Sequence, residues 1–271
     1  MNYKMHLTPE EEEILNGGKG ETIVDICQSV AEAMFKVTGY VMHFAPIGVF
    51  AMIAYTVGSY GIAMLIPLGK LILSVACATA LFICVVALIA SVFTGINFFH
   101  VIRALKDILF LAFSTASSEA ALPGAMKRLE ELGVPKTIVT FVMPTGYSFN
   151  LDGSTLYSSA GILFIAQLYG IQMPIEQQLL VMVTLMLSTK GIAGVPGAGI
   201  IVVAATAAAF NLPTEGVAIL LGIDRLLDMI RTICNVCGNC MATVVVACWE
   251  KELNKATFNE KYRAFLGGKN S

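Results

Sequence analysis

Five stretches of this chain, 37–69, 71–102, 153–175, 191–214 and 232–249, contain no Asp, Glu, Lys or Arg. A helix crosses a bilayer with about 20 predominantly apolar residues, and several of these runs reach that length. Backbone in such surroundings must close its hydrogen bonds within helices, because no water is there to accept them. The expected fold class is therefore an all-α membrane protein. Composition agrees: 56% of residues are hydrophobic and 13% are charged, against roughly 25% charged in ordinary soluble domains. The net charge of −2 comes with no basic patch, so nothing points to nucleic acid.

One apolar segment breaks this rule. Residues 224–239 read DRLLDMIRTICNVCGN. On a helix, Asp224, Asp228, Arg231 and Asn235 advance by four, three and four residues, which makes a single polar stripe on an apolar rod. A charge at bilayer depth costs at least about 2.5 kcal/mol on insertion scales. Such residues face a cavity, pair with one another, or hold a polar solute.

The chain divides into a polar lead-in (1–24), two transmembrane helices (25–93), a helical core (94–250) and a charged tail (251–271). The first helix is expected over about 25–58 and the second over about 67–93, with a turn at Gly58–Gly61 between them. In the core, STASSEAALPG (114–124) is too polar and broken to continue a spanning helix, so 101–132 reads as a re-entrant hairpin. Residues 137–170 form a long apolar segment that FNLDGST (149–155) unwinds halfway. A second hairpin, 177–210, turns at GIAGVPGAG (191–199), whose four glycines and proline exclude regular helix. The last helix covers 213–249. Two interrupted units in matching positions are the pattern of an inverted-repeat transporter with its site between the breaks.

Lys and Arg set the orientation. The connections 58–66, 170–176 and 211–215 carry none, whereas Arg103, Lys106, Lys127, Arg128, Lys136, Lys251, Lys255, Lys261, Arg263 and Lys269 lie at the opposite ends. That side, with the C-terminus, is expected in the cytoplasm of a multi-pass protein of the cell (inner) membrane. The lead-in has no apolar core followed by a small-residue cleavage site. The seven cysteines read as reduced packing residues, and Cys234, Cys237 and Cys240 lack a fourth metal ligand nearby. No cofactor is implied.

Arg231 presents a planar fork suited to a carboxylate. Asp228, one turn earlier, is placed to take a primary amine, and Asn235 adds an amide for an α-carboxylate. Together they match an acidic amino acid; alternatively, Arg231 and Asp228 neutralise each other. Asp152 either joins a cation site or caps the second half-helix. Ser114, Ser117 and Ser118 either offer hydroxyls to an anion or satisfy their own turn. GIAGVPGAG is no phosphate loop, since Lys190 precedes its glycines, and reads as a flexible lid. An enzyme is not expected: an aspartyl pair of Asp152 and Asp224 lacks the GxGD signature and leaves Arg231 without a task.

At these motifs the sequence resembles the dicarboxylate/amino acid:cation symporter family, the glutamate transporters. The resemblance runs from HFAPIGVFA (43–51) to VVACWEKEL (245–253), through SSEAALP (117–123), PTGYSFNLDGS (144–154), KGIAGVPGAG (190–199) and DRLLDMIRTICNVCGN (224–239). It implies that Ser117 and Ser118 form the first hairpin tip and that Ser154 follows the unwound segment. Val195 and Gly199 belong to a second hairpin that acts as the outer gate. Asp228 holds the substrate amine, Arg231 the side-chain carboxylate, and Thr232 and Asn235 the main-chain carboxylate. Asn150, Asp152, Asp224 and Asn235 correspond to cation positions, where sodium is the alternative coupling ion.

Sodium-coupled members carry NMDGT and end the last motif in GD. Here Leu151, Ser154 and Asn239 replace the methionine, the threonine and the final acid. Losing a charge and a soft sulfur weakens such a site, and the forms present resemble bacterial proton-coupled glutamate symporters. Glu119, Asp152 and Asp224 are then the candidate proton carriers. C4-dicarboxylate symport is the alternative, although members of that kind lack the acid found here at Asp228. The family forms homotrimers, and this chain begins near its fifth helix. An N-terminally truncated product without independent transport is therefore a further expectation.

Overall fold

A computed structural model describes residues 19–190 and 197–267. Among the described residues the chain is helical, without strands. It comprises α1 (Lys19–Tyr60), a 3-10 turn (Ile62–Met64), α2 (Leu65–Thr94), α3 (Phe98–Ala104), α4 (Lys106–Thr115), α5 (Ser118–Glu131), α6 (Lys136–Phe149) and α7 (Asp152–Leu168). There follow α8 (Ile175–Ser188), α9 (Ala198–Ala209), α10 (Glu215–Leu221), α11 (Asp224–Trp249) and α12 (Lys255–Gly267). Two units divide the chain after Phe50. In the first, Ile26, Val30, Val37, Tyr40, Phe44, Ile47 and Phe50 on α1 are exposed.

The second unit is organised around α11, which packs against α2, α4, α5, α6 and α7. Its two ends serve two cores. Val236, Cys237, Cys240, Met241, Val244 and Ala247 join α3, α4, α5 and α6 around Phe98, Leu105, Leu129 and Met143. Ile223 and Leu227 join α7, α8, α9 and α10 around Tyr157, Ile162, Leu185 and Val203. α2 contributes to both, with Leu68, Leu71 and Val75 in one and Ala87 and Ala90 in the other. Its remaining faces present Leu73, Leu81, Val85, Leu88, Val92 and Phe93 outward. Apolar surface of that extent fits lipid, whose tails are as apolar as leucine.

Several element boundaries depart from the sequence expectations. Lys19–Val24, expected in the lead-in, already belongs to α1, while 1–18 lie outside the described residues. The first turn sits at Gly61–Met64 rather than 58–61: Gly61 takes φ 81°, which glycine alone adopts readily, and Gly58 stays helical. The expected broken run 114–124 narrows to Ala116 and Ser117, and α5 carries Pro123 inside it. The last helix is not continuous over 213–249. It stops at Leu221 and restarts at Asp224, with Gly222 still in helical geometry and Ile223 turned to φ −116° between them. Residues 255–267 of the charged tail form α12: Asn254 caps it through Thr257 N (2.9 Å), and Phe258 and Tyr262, one turn apart, bury in the first core.

α6 ends at Phe149 and α7 begins at Asp152, with Asn150 and Leu151 between them. α4 packs against α5, and α8 against α9.

Candidate functional site

The stripe on α11 is buried throughout. Asp224 is 8% exposed, while Asp228, Arg231, Thr232, Asn235 and Asn239 are each 2% or less. A charged group so enclosed must be matched by partners. Arg231 Nε donates to Asp228 Oδ1, and Arg231 Nη1 donates to Ser154 Oγ at 2.8 Å. Asn235 Nδ2 donates to the same hydroxyl at 3.3 Å, while its Oδ1 accepts from Gly153 N at 2.8 Å. Thr232 Oγ1 donates back to Asp228 O at 2.7 Å. Arg231 and Asp228 thus pair with each other, and Ser154 of α7 borders the pair.

The break between α6 and α7 makes this contact possible. An unwound turn exposes amide groups that a helix interior would use, and Gly153 N is one of them. A Cβ on Gly153 would stand 2.2 Å from Arg231 O and 2.8 Å from Cys234 Cβ, so only glycine lets the two backbones approach this closely. Asp152 Oδ2 lies on the far side of the same turn, 3.1 Å from where a Cβ on Gly238 would be. Asn150 Nδ2 donates to Asn239 Oδ1 at 3.3 Å, and Asn239 Nδ2 to Asn150 O at 3.4 Å. A cavity of about 410 Å³ opens beside that amide pair, lined by Phe141, Thr145, Gly146 and Phe149. A larger one, about 520 Å³, lies away from the stripe between Gly95–His100 and Lys255.

The second helix pair approaches from the other side. Gly197 N, just before α9, donates to Asp228 Oδ2 at 2.5 Å. A Cβ on Gly199 would lie 2.8 Å from the Tyr157 ring and 3.6 Å from the guanidinium carbon of Arg231. Val195 lies outside the described residues. Thr155 and Thr189 hydroxyls meet at 2.9 Å, tying α7 to the end of α8. Tyr157 OH donates to Asp224 Oδ1 at 2.5 Å.

The first helix pair touches α11 differently. Arg225 Nη2 donates to Thr115 O at 3.2 Å and to Ser114 O at 3.5 Å. Ser117 caps α5 by accepting from Ala120 N at 3.3 Å, which is the turn-satisfying role; Ser118 is buried beside it, and Glu119 is half-buried.

Three partners in this site were not picked out from the sequence. Tyr157 follows Ser154 by one turn, so the helical spacing of 154, 157 and 158 was a usable signal. Gly153 stands in the sequence only as part of FNLDGST, and Arg225 only as part of DRLLDMIRTICNVCGN.

A family model for the sodium:dicarboxylate symporter family matches residues 14–249. A proton/sodium-glutamate symport protein of Geobacillus stearothermophilus is 52% identical over 239 residues, covering 88% of this chain and 57% of the relative. A proton/glutamate-aspartate symporter of Escherichia coli (strain K12) is 49% identical over 247 residues, 91% of this chain and 56% of its own length. A C4-dicarboxylate transport protein of Bacillus subtilis (strain 168) is 42% identical over 241 residues, 89% of this chain and 57% of its own. The chain thus spans a little over half the length of the curated relatives it matches.

Proposed function

The chain belongs to the sodium:dicarboxylate symporter family, and from that premise we propose that it carries the substrate and coupling site of a secondary active symporter that takes up glutamate or aspartate with protons. The observation that carries this reading is the buried Asp228–Arg231 pair, held by Ser154 and Asn235 on one face of α11. An acidic amino acid brings an ammonium and two carboxylates, so it can replace each member of the pair in front of the other. Asp228 takes the ammonium, Arg231 takes the side-chain carboxylate bidentately, and Thr232, Asn235 and Ser154 take the main-chain carboxylate. The exchange leaves neither buried charge unmatched. Two of the relatives, named as glutamate symporters, support the substrate class.

In this reading α4–α5 and α8–α9 are re-entrant hairpins. Ser117 and Ser118 lie at the first tip, and Val195 and Gly199 in the second, which serves as the outer lid. Residues 94–250 are the transport core, and 25–93 contribute part of the scaffold and the start of the moving domain. The complete carrier is a homotrimer with a cytoplasmic C-terminus, consistent with the Lys and Arg around α12. It is a carrier and not an enzyme.

Coupling follows from charge. Glutamate enters with a net charge of −1, and a co-transported proton cancels that added charge at a depth where charge is costly. Glu119, Asp152 and Asp224 are the candidate carriers of that proton. Asn150 and Asn239 bond to each other as neutral amides, and an amide in place of an acid is a weaker sodium ligand. This disfavours sodium at Asn150, Asp152, Asp224 and Asn235 and leaves the proton to the carboxylates. The test is uptake of labelled glutamate by proteoliposomes of the complete carrier under an imposed proton gradient. Uptake is expected to follow the proton gradient with or without sodium; uptake that requires sodium and ignores the proton gradient contradicts the coupling.

The relative named as a C4-dicarboxylate transport protein supports a second reading. Succinate has no amine, so it leaves Asp228 without a cation, a loss of about 1–3 kcal/mol. Succinate is therefore expected to compete poorly with labelled glutamate. Equal competition by succinate and aspartate favours the second reading.

A further inference from the structure

The larger cavity, about 520 Å³, lies away from the α11 stripe, where the end of α2 meets α3 and α12. Its volume falls in the roughly 300–1,000 Å³ range of ligand pockets. Ser91 and Asn97 line it with their oxygens already engaged. Ser91 Oγ accepts from Phe98 N at 3.0 Å and donates to Ala87 O at 2.6 Å, and Asn97 Oδ1 accepts from Phe99 N at 3.0 Å. What this wall still has to offer is donors, the Asn97 NH2 group and the Lys255 ammonium, and no Asp or Glu lines the cavity. Lys255 is exposed and, among the described residues, has no acidic partner. Its stem rests on the turn after α2, since a Cβ on Gly95 would lie 3.8 Å from Lys255 Cδ. His100 also lines the cavity, stacked on Tyr262 with ring centroids 4.6 Å apart, and its Nδ1 is enclosed without a hydrogen-bond partner. A polar atom left so is ordinarily completed by water or a ligand.

Another part of the wall is apolar. Leu88 and Phe99 line the cavity and are 54% and 44% exposed, and Val92 and Phe93, one turn further along α2, are 83% and 85% exposed. The cavity thus sits where lipid-facing surface ends and the charged α12 begins. We propose that it seats the phosphate headgroup of an anionic phospholipid, held by Lys255 and the Asn97 amide, with the acyl chains following the outer face of α2. A soluble phosphate ester offers the same anion but nothing to cover Leu88 and Phe99. The site depends on no reading of the Asp228–Arg231 pair. In the proposed orientation it faces the cytoplasmic leaflet, whose anionic lipids attract Lys and Arg near the surface.

Native mass spectrometry of the complete carrier, stripped of lipid in detergent and titrated with phosphatidylglycerol or phosphatidylcholine, tests this directly. The wild type is expected to retain phosphatidylglycerol in preference to phosphatidylcholine. Lys255→Ala is expected to weaken that retention about fivefold, the change that one near-surface lysine contributes, and Lys255→Arg to restore most of it. Lys127→Ala removes an exposed cation that does not line the cavity, and is expected to leave retention as in the wild type. Excess glycerol 3-phosphate is expected not to displace the lipid. Equal retention of the two lipids, unchanged retention in Lys255→Ala, an arginine variant no better than alanine, or an equal loss in Lys127→Ala overturns the site. Displacement by glycerol 3-phosphate overturns the lipid in favour of a soluble phosphate ester. Glutamate uptake enters none of these readings, so failure of the lipid site and failure of the proposed transport are separate results.

Discussion

α2 and α11 are the two described helices long and apolar enough to cross a membrane, and they are built for opposite surroundings. α2 has 30 residues, of which six are buried, at spacings of three, four and eight that leave the rest of its circumference to lipid. α11 has 26 residues and buries 16 of them, including Asp224, Asp228, Arg231, Asn235 and Asn239. Hydropathy alone classes them together. What separates them is where the polar atoms go: α2 exposes Lys70 and Ser74 near its start and is otherwise apolar on its outer faces, whereas α11 can be apolar in mean and charged in detail only because α7 and the Gly197 amide meet its stripe. A polar stripe on a spanning helix thus specifies its neighbours, while a uniform one specifies little.

The contrast predicts very unequal responses to substitution. The largest is expected for Asp228→Ala, which leaves the Arg231 guanidinium buried without its carboxylate. Breaking one side of a buried pair costs about 3–5 kcal/mol, which should appear as a large loss of thermal stability in detergent together with loss of glutamate binding. Gly153→Ala comes next, because the new methyl cannot fit 2.2 Å from Arg231 O. Forcing α7 off α11 is expected to cost about 1–3 kcal/mol, visible in thermal unfolding, with binding weakened in parallel. Tyr157→Phe removes one hydrogen bond from Asp224 and should cost about 1–2 kcal/mol. Leu81→Ala on the outer face of α2, where Leu81 is 66% exposed, should change stability by no more than about 0.5 kcal/mol. A response at Leu81 comparable to that at Gly153 breaks the comparison.

Much of this was legible in the residues. Charge-free length announced the helices, and the four-three-four spacing of Asp224, Asp228, Arg231 and Asn235 announced the buried face, because helical periodicity is a local property. FNLDGST announced the break for the same reason. The rest depended on what meets what across the fold. That Gly153 is required by an arginine carbonyl, or that Arg225 donates to carbonyls at the end of α4, are contacts between distant segments, which carry no periodic signal. In the charged tail, Phe258 and Tyr262 give α12 an apolar edge only one turn long, enough to dock it but too short to stand out among the charges.

In the function we propose, Arg231 reads the side-chain carboxylate of an acidic substrate. The most direct test of that role is Arg231→Cys in the complete carrier, first shown to reach the membrane in normal amount and then assayed for uptake of labelled glutamate and serine. Charge-assisted bidentate pairing supplies most of the discrimination between acidic and neutral side chains. The variant is therefore expected to lose glutamate uptake, and a small neutral residue in its place is expected to admit serine. A well-expressed Arg231→Cys carrier that still prefers glutamate over serine contradicts the account.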